Sequence, residues 1–206
     1  MNEKDFNPEM YGRGFYFFHD IPIQHTPAEL SFLDMFLTKN KFDTIIEIGT
    51  LHGGLTILFG IHALRTNSKV LTLDIREEPK GFYKQMASFL PITFHQKSIL
   101  EDQTTSSIKQ QIATGGRTLI YCDGGYKKIE FNLYAPFLKP GDVIVAHDKV
   151  IRFRDNEIFF SDIKDTVEKH GLEPMHEYIL ERYRSRMFMF LRTYKNYKKP
   201  KEVIKK

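Results

Sequence analysis

From Phe42 onward the chain alternates short apolar, β-branched runs with stretches whose apolar positions recur every three or four residues. Thr44 to Ile48, Val70 to Leu73, Thr93 to Gln96, Thr118 to Cys122 and Val143 to Ala146 read as strands. Between the first two, Leu55, Leu58, Phe59, His62 and Ala63 follow the i, i+3, i+4, i+7, i+8 spacing of a buried helix face. Earlier, Pro27 opens a helix with Thr26 as its N-cap and Leu30, Leu33, Phe36 and Leu37 as its apolar side. Further helices are predicted around Phe82, Met86 and Leu90, over 101–114, along Ile129, Leu133 and Phe137, and around Ile163, Val167 and His170. Two last strands, Met175 to Ile179 and Met187 to Leu191, follow with no helix between them.

Alternating strands and helices require a mostly parallel sheet covered on both faces. The TLIYC run at Thr118 is apolar throughout, as expected of a strand buried on both sides. The prediction is an α/β, Rossmann-like, doubly wound sheet of seven strands with the last one antiparallel. We divide the chain into an aromatic-rich, loop-like segment (1–27), a main domain (28–193) and a basic tail (194–206).

Composition narrows the class only modestly. At 206 residues, with 41% hydrophobic and 27% charged residues, the chain can bury one full core. No apolar run approaches the roughly 20 residues needed to span a bilayer, and MNEKDFNPEM is no signal peptide. A lone cysteine, Cys122, sits inside an apolar strand, which fits a buried thiol in a cytoplasmic protein. The net charge of +4 comes from the lysine-rich tail, read as a solvated terminus, and the body lacks the basic–aromatic patch of a nucleic-acid binder.

The candidate chemistry lies where strands end. FDTIIEIGTLHGG carries Glu47 near its strand's end and a turn with Gly49, Gly53 and Gly54; the next strand delivers Asp74 at its carboxyl end. Glycines let a backbone approach a nucleoside, and a carboxylate after the second strand accepts both ribose hydroxyls. The G-x-G-x-x-G of dinucleotide folds is absent, because Thr50 and Leu51 stand where a pyrophosphate needs space.

Together with IPIQHTPAEL, IIEIGTLHGG, LTLDI, HQKS and YCDGG…EFNLYAPFLKPGDVIVAHD, this pattern resembles the class I S-adenosylmethionine-dependent O-methyltransferases. Within them it resembles the cephalosporin hydroxylase-like group, which includes macrolide-sugar and rhamnosyl O-methyltransferases, from about Ile23 to Arg192. The resemblance implies Glu47, Gly49, Thr50, Gly53 and Gly54 around the methionine part of S-adenosylmethionine and Asp74 at the ribose. Ser98 and Gln96 would lie near the adenine. Asp123 would serve both cofactor and metal, with Asp148 as second ligand of Mg²⁺ or Mn²⁺. Metal-using relatives commonly carry an acid before that residue; here it is His147, read as a metal ligand, a general base or a hydrogen-bonded structural histidine.

The implied activity is methyl transfer to a small hydroxylated acceptor such as a sugar or natural product, in a protein that self-associates as its relatives often do. Arg152 and Arg154 would select the acceptor, and the amino-terminal aromatics would cover the site. Two other classes stay open: an inactive nucleoside-binding scaffold and a nicotinamide-dependent oxidoreductase. Base N-methylation is disfavoured, since Asp123-Gly124-Gly125-Tyr126 replaces an N/D-P-P-Y/F/W motif.

Overall fold

A computed structural model describes residues 16–18, 20–149, 157–182, 184–195 and 197. The described residues open with an antiparallel pair, β1 (Tyr16–Phe18) and β2 (Ile21–Ile23), followed by α1 (Pro27–Lys39). Then come β3 (Thr44–Ile48), α2 (Gly54–Thr66), β4 (Lys69–Asp74), α3 (Phe82–Ala87), β5 (Ile92–Gln96) and α4 (Asp102–Thr114). The second half contains β6 (Thr118–Cys122), α5 (Lys127–Tyr134), a 3₁₀ turn (Ala135–Phe137), β7 (Val143–Ala146) and α6 (Phe160–His170). It closes with β8 (Leu172–Pro174), α7 (Glu177–Arg182) and β9 (Phe188–Arg192).

The seven-stranded sheet has the order β5-β4-β3-β6-β7-β9-β8. Strand β9 runs antiparallel to both of its neighbours, and the other pairings are parallel. The expected doubly wound, mostly parallel sheet with an antiparallel last strand is therefore present. Strand order reverses between β3 and β6, and an open α/β sheet leaves its ligand crevice at the carboxyl ends of such a pair.

Strand alternation divides the core into two layers. Ile46, Ile48, Ile120, Ile144 and Ala146 pack beneath α4, α5 and α6 with Ile108, Ile112, Phe131, Tyr134, Ile163 and Val167. Ile45, Leu119, Tyr121, Val143 and Val145 pack on the other face beneath α1 and α2, with Phe32, Leu33, Phe36, Leu58 and Phe59. Every residue of β6 and β7 is buried. Helix α1 starts as its sequence predicts: the Thr26 hydroxyl accepts the Glu29 N–H, and the Glu29 carboxylate accepts the Thr26 N–H.

Four local expectations need correcting. The strand placed over Met175 to Ile179 is instead β8 at Leu172–Pro174, and α7 stands between the final strands. His176 adopts φ 57°, which breaks an extended run, and the helix that follows buries Leu180. Tyr16–Phe18 and Ile21–Ile23 pair as antiparallel strands rather than lying in a loop, with Ile21 and Ile23 buried. In α5 the buried face is Lys127, Glu130, Phe131 and Tyr134, while Ile129 is 44% exposed. In α3 the buried aromatic is Tyr83, while Phe82 is 44% exposed. Tyr11, Phe15, Arg152, Arg154 and the tail from residue 198 lie outside the described residues. Among the described residues, no helix is long and apolar enough to cross a membrane.

Candidate active site

A cavity of about 390 Å³ opens over the carboxyl ends of β3, β4 and β6. That lies within the roughly 300–1,000 Å³ of small-molecule sites. Its wall is built from the turn after β3. Gly49 has φ 98° and Gly53 φ 84°, left-handed values that side chains disfavour. A Cβ on Gly49 would run into the backbone of Asp123, and one on Gly53 into the Tyr83 ring. The turn is thus pressed against β6 on one side and α3 on the other. Gly54 starts α2 beneath the β1–β2 pair; its Cβ would sit 2.7 Å from the Pro22 carbonyl. Pro22, Ile23 and His25 consequently join the cavity wall.

Asp74 closes one end of the cavity. One carboxylate oxygen accepts the Leu51 N–H at 2.9 Å and the other the Arg76 N–H at 2.9 Å. Both retain acceptor capacity, since a carboxylate has about four lone-pair sites. Ser98 lines the same end. Gln96, the register partner of Asp74, does not line the cavity and is exposed.

Glu47 forms part of the floor. Its Oε2 accepts from Thr56 Oγ1 at 2.5 Å and Thr72 Oγ1 at 2.6 Å, and Thr72 in turn meets Thr50 at 2.6 Å. Its Oε1 is buried with no partner. Burial outweighs the two hydroxyls and pushes the carboxyl up to about 8. Glu47 is therefore largely protonated at neutral pH in the ligand-free protein.

At the other end stands a cluster that sequence reasoning captured only in part. Alternation along β6 and β7 directs Tyr121, Asp123 and His147 toward α1. His147 Nδ1 donates to Asp123 Oδ1 at 3.2 Å, and Nδ1 is 3.4 Å from Asp148 Oδ1. Its Nε2 is 3.6 Å from Glu29 Oε1, and its ring lies 4.3 Å from that of His25. Burial alone would lower the His147 pKa, but Asp123, Glu29 and Asp148 outweigh it and hold it near 10. Burial and the neighbouring His147 push His25 down to about 4. Burial would raise Asp123 and Glu29, yet both are held below the ordinary carboxylate range. His147 contributes to each, His25 and Lys127 also act on Asp123, and backbone N–H donors act on Glu29.

Of the three residues expected to do chemistry, Asp123 and Asp148 line the cavity. His147 stands behind them, out of the lining. Lys127, Glu29, His25 and Arg186 were not anticipated. Lys127 Nζ is 2.8 Å from Asp148 Oδ2 and 3.5 Å from Asp123 Oδ1, and it donates to the Gly124 carbonyl at 2.8 Å. Glu130 shapes the same loop by accepting the Gly124 and Tyr126 N–H groups. Arg186 Nη2 reaches Asp148 Oδ1 at 2.8 Å, while its backbone N–H donates to Glu29. The available signal was helical: Lys127 and Glu130 share the inner face of the helix that starts four residues after Asp123.

The sequence matches the family model rhamnosyl O-methyltransferase/CmcI over residues 11–189. The chain belongs to this family. Among solved structures, the apo-structure of CmcI superposes with a TM-score of 0.65 at 16% identity, covering 86% of this chain and 76% of that one. A CmcI structure with Mg and SAM gives 0.65 at 16% identity, covering 85% and 76%. Cofactor-bound Rv0187 from MTB gives 0.54 at 16% identity, covering 84% of each chain. At these identities the superpositions establish the class I methyltransferase fold. No protein with a curated description matches the sequence.

Proposed function

We propose that the chain is an S-adenosylmethionine-dependent O-methyltransferase acting on a small hydroxylated acceptor, a sugar or natural product. The observation that carries this reading is one continuous cavity with Asp74 at one end and Asp123 and Asp148 at the other, joined by the Gly49–Gly54 turn. Its chemistry suits the adenosyl cofactor. Asp74, already oriented by two N–H donors, would accept the ribose hydroxyls. Ser98 would lie at the base. Thr50 and the glycine turn would flank the methionine portion, and the unpartnered Glu47 Oε1 would receive its ammonium.

When bound, S-adenosylmethionine supplies a methyl on a sulfonium sulfur: the S–C bond breaks as the acceptor O–C bond forms, leaving a neutral thioether and one hydroxyl proton to remove. The protein's part is positioning, exclusion of water and disposal of that proton. Asp148, at the cavity edge, would take the proton. Asp123, held by His147 and Lys127, would keep negative charge beside the sulfonium.

Calorimetric titration with S-adenosylhomocysteine, followed by methyl-labelled turnover on a panel of sugars and hydroxylated natural products, tests the reading. Binding in the micromolar range by the native protein and its loss in Asp74→Ala are expected. Absence of binding by the native protein overturns it.

A further inference from the structure

The carboxylate pair at the acceptor end already has cations of its own. Lys127 Nζ lies among three oxygens, at 2.8 Å from Asp148 Oδ2, 2.8 Å from the Gly124 carbonyl and 3.5 Å from Asp123 Oδ1. Its side chain is only 6% exposed. The opposite oxygen of Asp148 meets Arg186 Nη2 at 2.8 Å. Two carboxylates thus face one ammonium and one guanidinium, the guanidinium being shared with Glu157 at 3.2 Å, so both carboxylates already have cationic partners from the chain itself.

A divalent cation fits such a place poorly. Mg²⁺ demands near-octahedral oxygen ligands at about 2.0–2.1 Å. An ion bridging Asp123 and Asp148 would have to evict the ammonium or lie a few ångströms from it, where like charges repel strongly in a partly desolvated site. His147 does not reach the cavity: its Nδ1 faces Asp123 Oδ1 at 3.2 Å and its Nε2 faces Glu29 at 3.6 Å. Among the described residues, one group with possible metal donors within 4.8 Å of one another is His25, Asp123 and His147. It omits Asp148, and His25 Nε2 is already 2.8 Å from the Tyr121 hydroxyl.

We propose that Lys127 is the built-in cation of this site, standing between Asp123 and Asp148 so that the protein works without a bound divalent metal. The step is the methyl transfer described above. The ammonium keeps both carboxylates in place while the acceptor proton passes to Asp148, and Lys127 acts as a positioning residue. The proposal rests on the methyl-transfer reading for its consequence in turnover, whereas its ion-binding consequence stands independently.

The test is Mn²⁺ titration followed by electron paramagnetic resonance on the native protein, Lys127→Met, and Lys127→Met combined with Asp148→Asn, each with adenosylhomocysteine present. Native protein should leave the free Mn²⁺ signal intact to about 1 mM. Lys127→Met should bind Mn²⁺ at least about tenfold more tightly, and the double variant should lose that gain. Turnover by native protein should be equal after EDTA treatment and after Mg²⁺ addition. Stoichiometric Mn²⁺ on the native protein that Asp123→Asn removes, EDTA-sensitive turnover, or no gained site in a folded Lys127→Met would each overturn the proposal. If Lys127→Met does not fold, the native-protein arms decide alone. A missing thermal shift with adenosylhomocysteine would refute the cofactor reading and leave the Mn²⁺ result interpretable.

Discussion

His147 Nδ1 donates to Asp123 Oδ1 at 3.2 Å while its Nε2 stands 3.6 Å from Glu29, so this imidazolium is held between carboxylates of two different elements. Its folded pKa, near 10, lies above the ordinary 6.5. The stabilisation is therefore complete below about pH 6.5 and is lost as pH rises through 10.

Thermal melts should accordingly show stability falling between pH 7 and 10. His147→Gln should be less stable than the native protein at pH 6.5 by about 2–4 kcal/mol, because two carboxylates lose their charged partner. The gap should close toward pH 10. A gap that stays constant would show that the imidazolium is not the linked group.

Glu47 gives a ligand-linked proton. With the free carboxyl near 8, an ammonium delivered to Oε1 favours the ionised form and releases a proton. Calorimetry with adenosylhomocysteine at pH 7, in two buffers of different ionisation enthalpy, should show release approaching one proton. Glu47→Gln should abolish it. Without ligand, a folded pKa raised above 4.5 stabilises fully below 4.5 and loses that contribution as pH rises through 8. Glu47→Gln should therefore melt above the native protein at pH 9.

Gly49 is a steric test. Its φ of 98° and its contact with the Asp123 backbone leave no slack, because the neighbour is main chain rather than a pliable side chain. Gly49→Ala should destabilise by about 2 kcal/mol or more and weaken adenosylhomocysteine binding at least about tenfold. A melt and a titration check both. Gly125→Ala, with nothing within 4 Å of its added carbon, should be tolerated.

His25 governs part of the acid limb. A folded pKa lowered to about 4 means that stability contributed above pH 6.5 is lost as pH falls through 4. His25→Gln should flatten the melting-temperature decline between pH 6.5 and 4. An unchanged slope would assign that decline to the carboxylates.

The Asp74 end of the cavity was legible because strand, glycine turn and strand-end acid are contiguous signals: Glu47, Gly49, Gly54 and Asp74 all fall in Phe42–Asp74 and all line it. The other end was legible only at Asp123 and Asp148, again strand ends. Lys127 reads locally as one more surface lysine in KKIEF, and only its place on the inner face of α5 buries it. Glu29 reads as a capping-box acid, which it is, and its second task depends on Ser185 and Arg186, more than 150 residues away in the segment that leads into β9. The misplaced strand shows the same limit. Leu172–Pro174 is three residues long on the sheet edge, where proline is tolerated, and its signal is weaker than that of Met175, Tyr178 and Ile179, whose i, i+3, i+4 spacing is that of a helix.

The contacts of Glu29 with the Ser185 hydroxyl and the Arg186 N–H, 156 and 157 residues later, also set an order of assembly. During synthesis, at about 5–20 residues per second, the glycine turn and Asp74 leave the ribosome many seconds before Arg186 does. The Gly49–Gly54 turn can pack against Asp123 before the segment that holds Glu29 has been made. Any translation product halted before Ser185 lacks both groups that hold Glu29 from the far end of the chain.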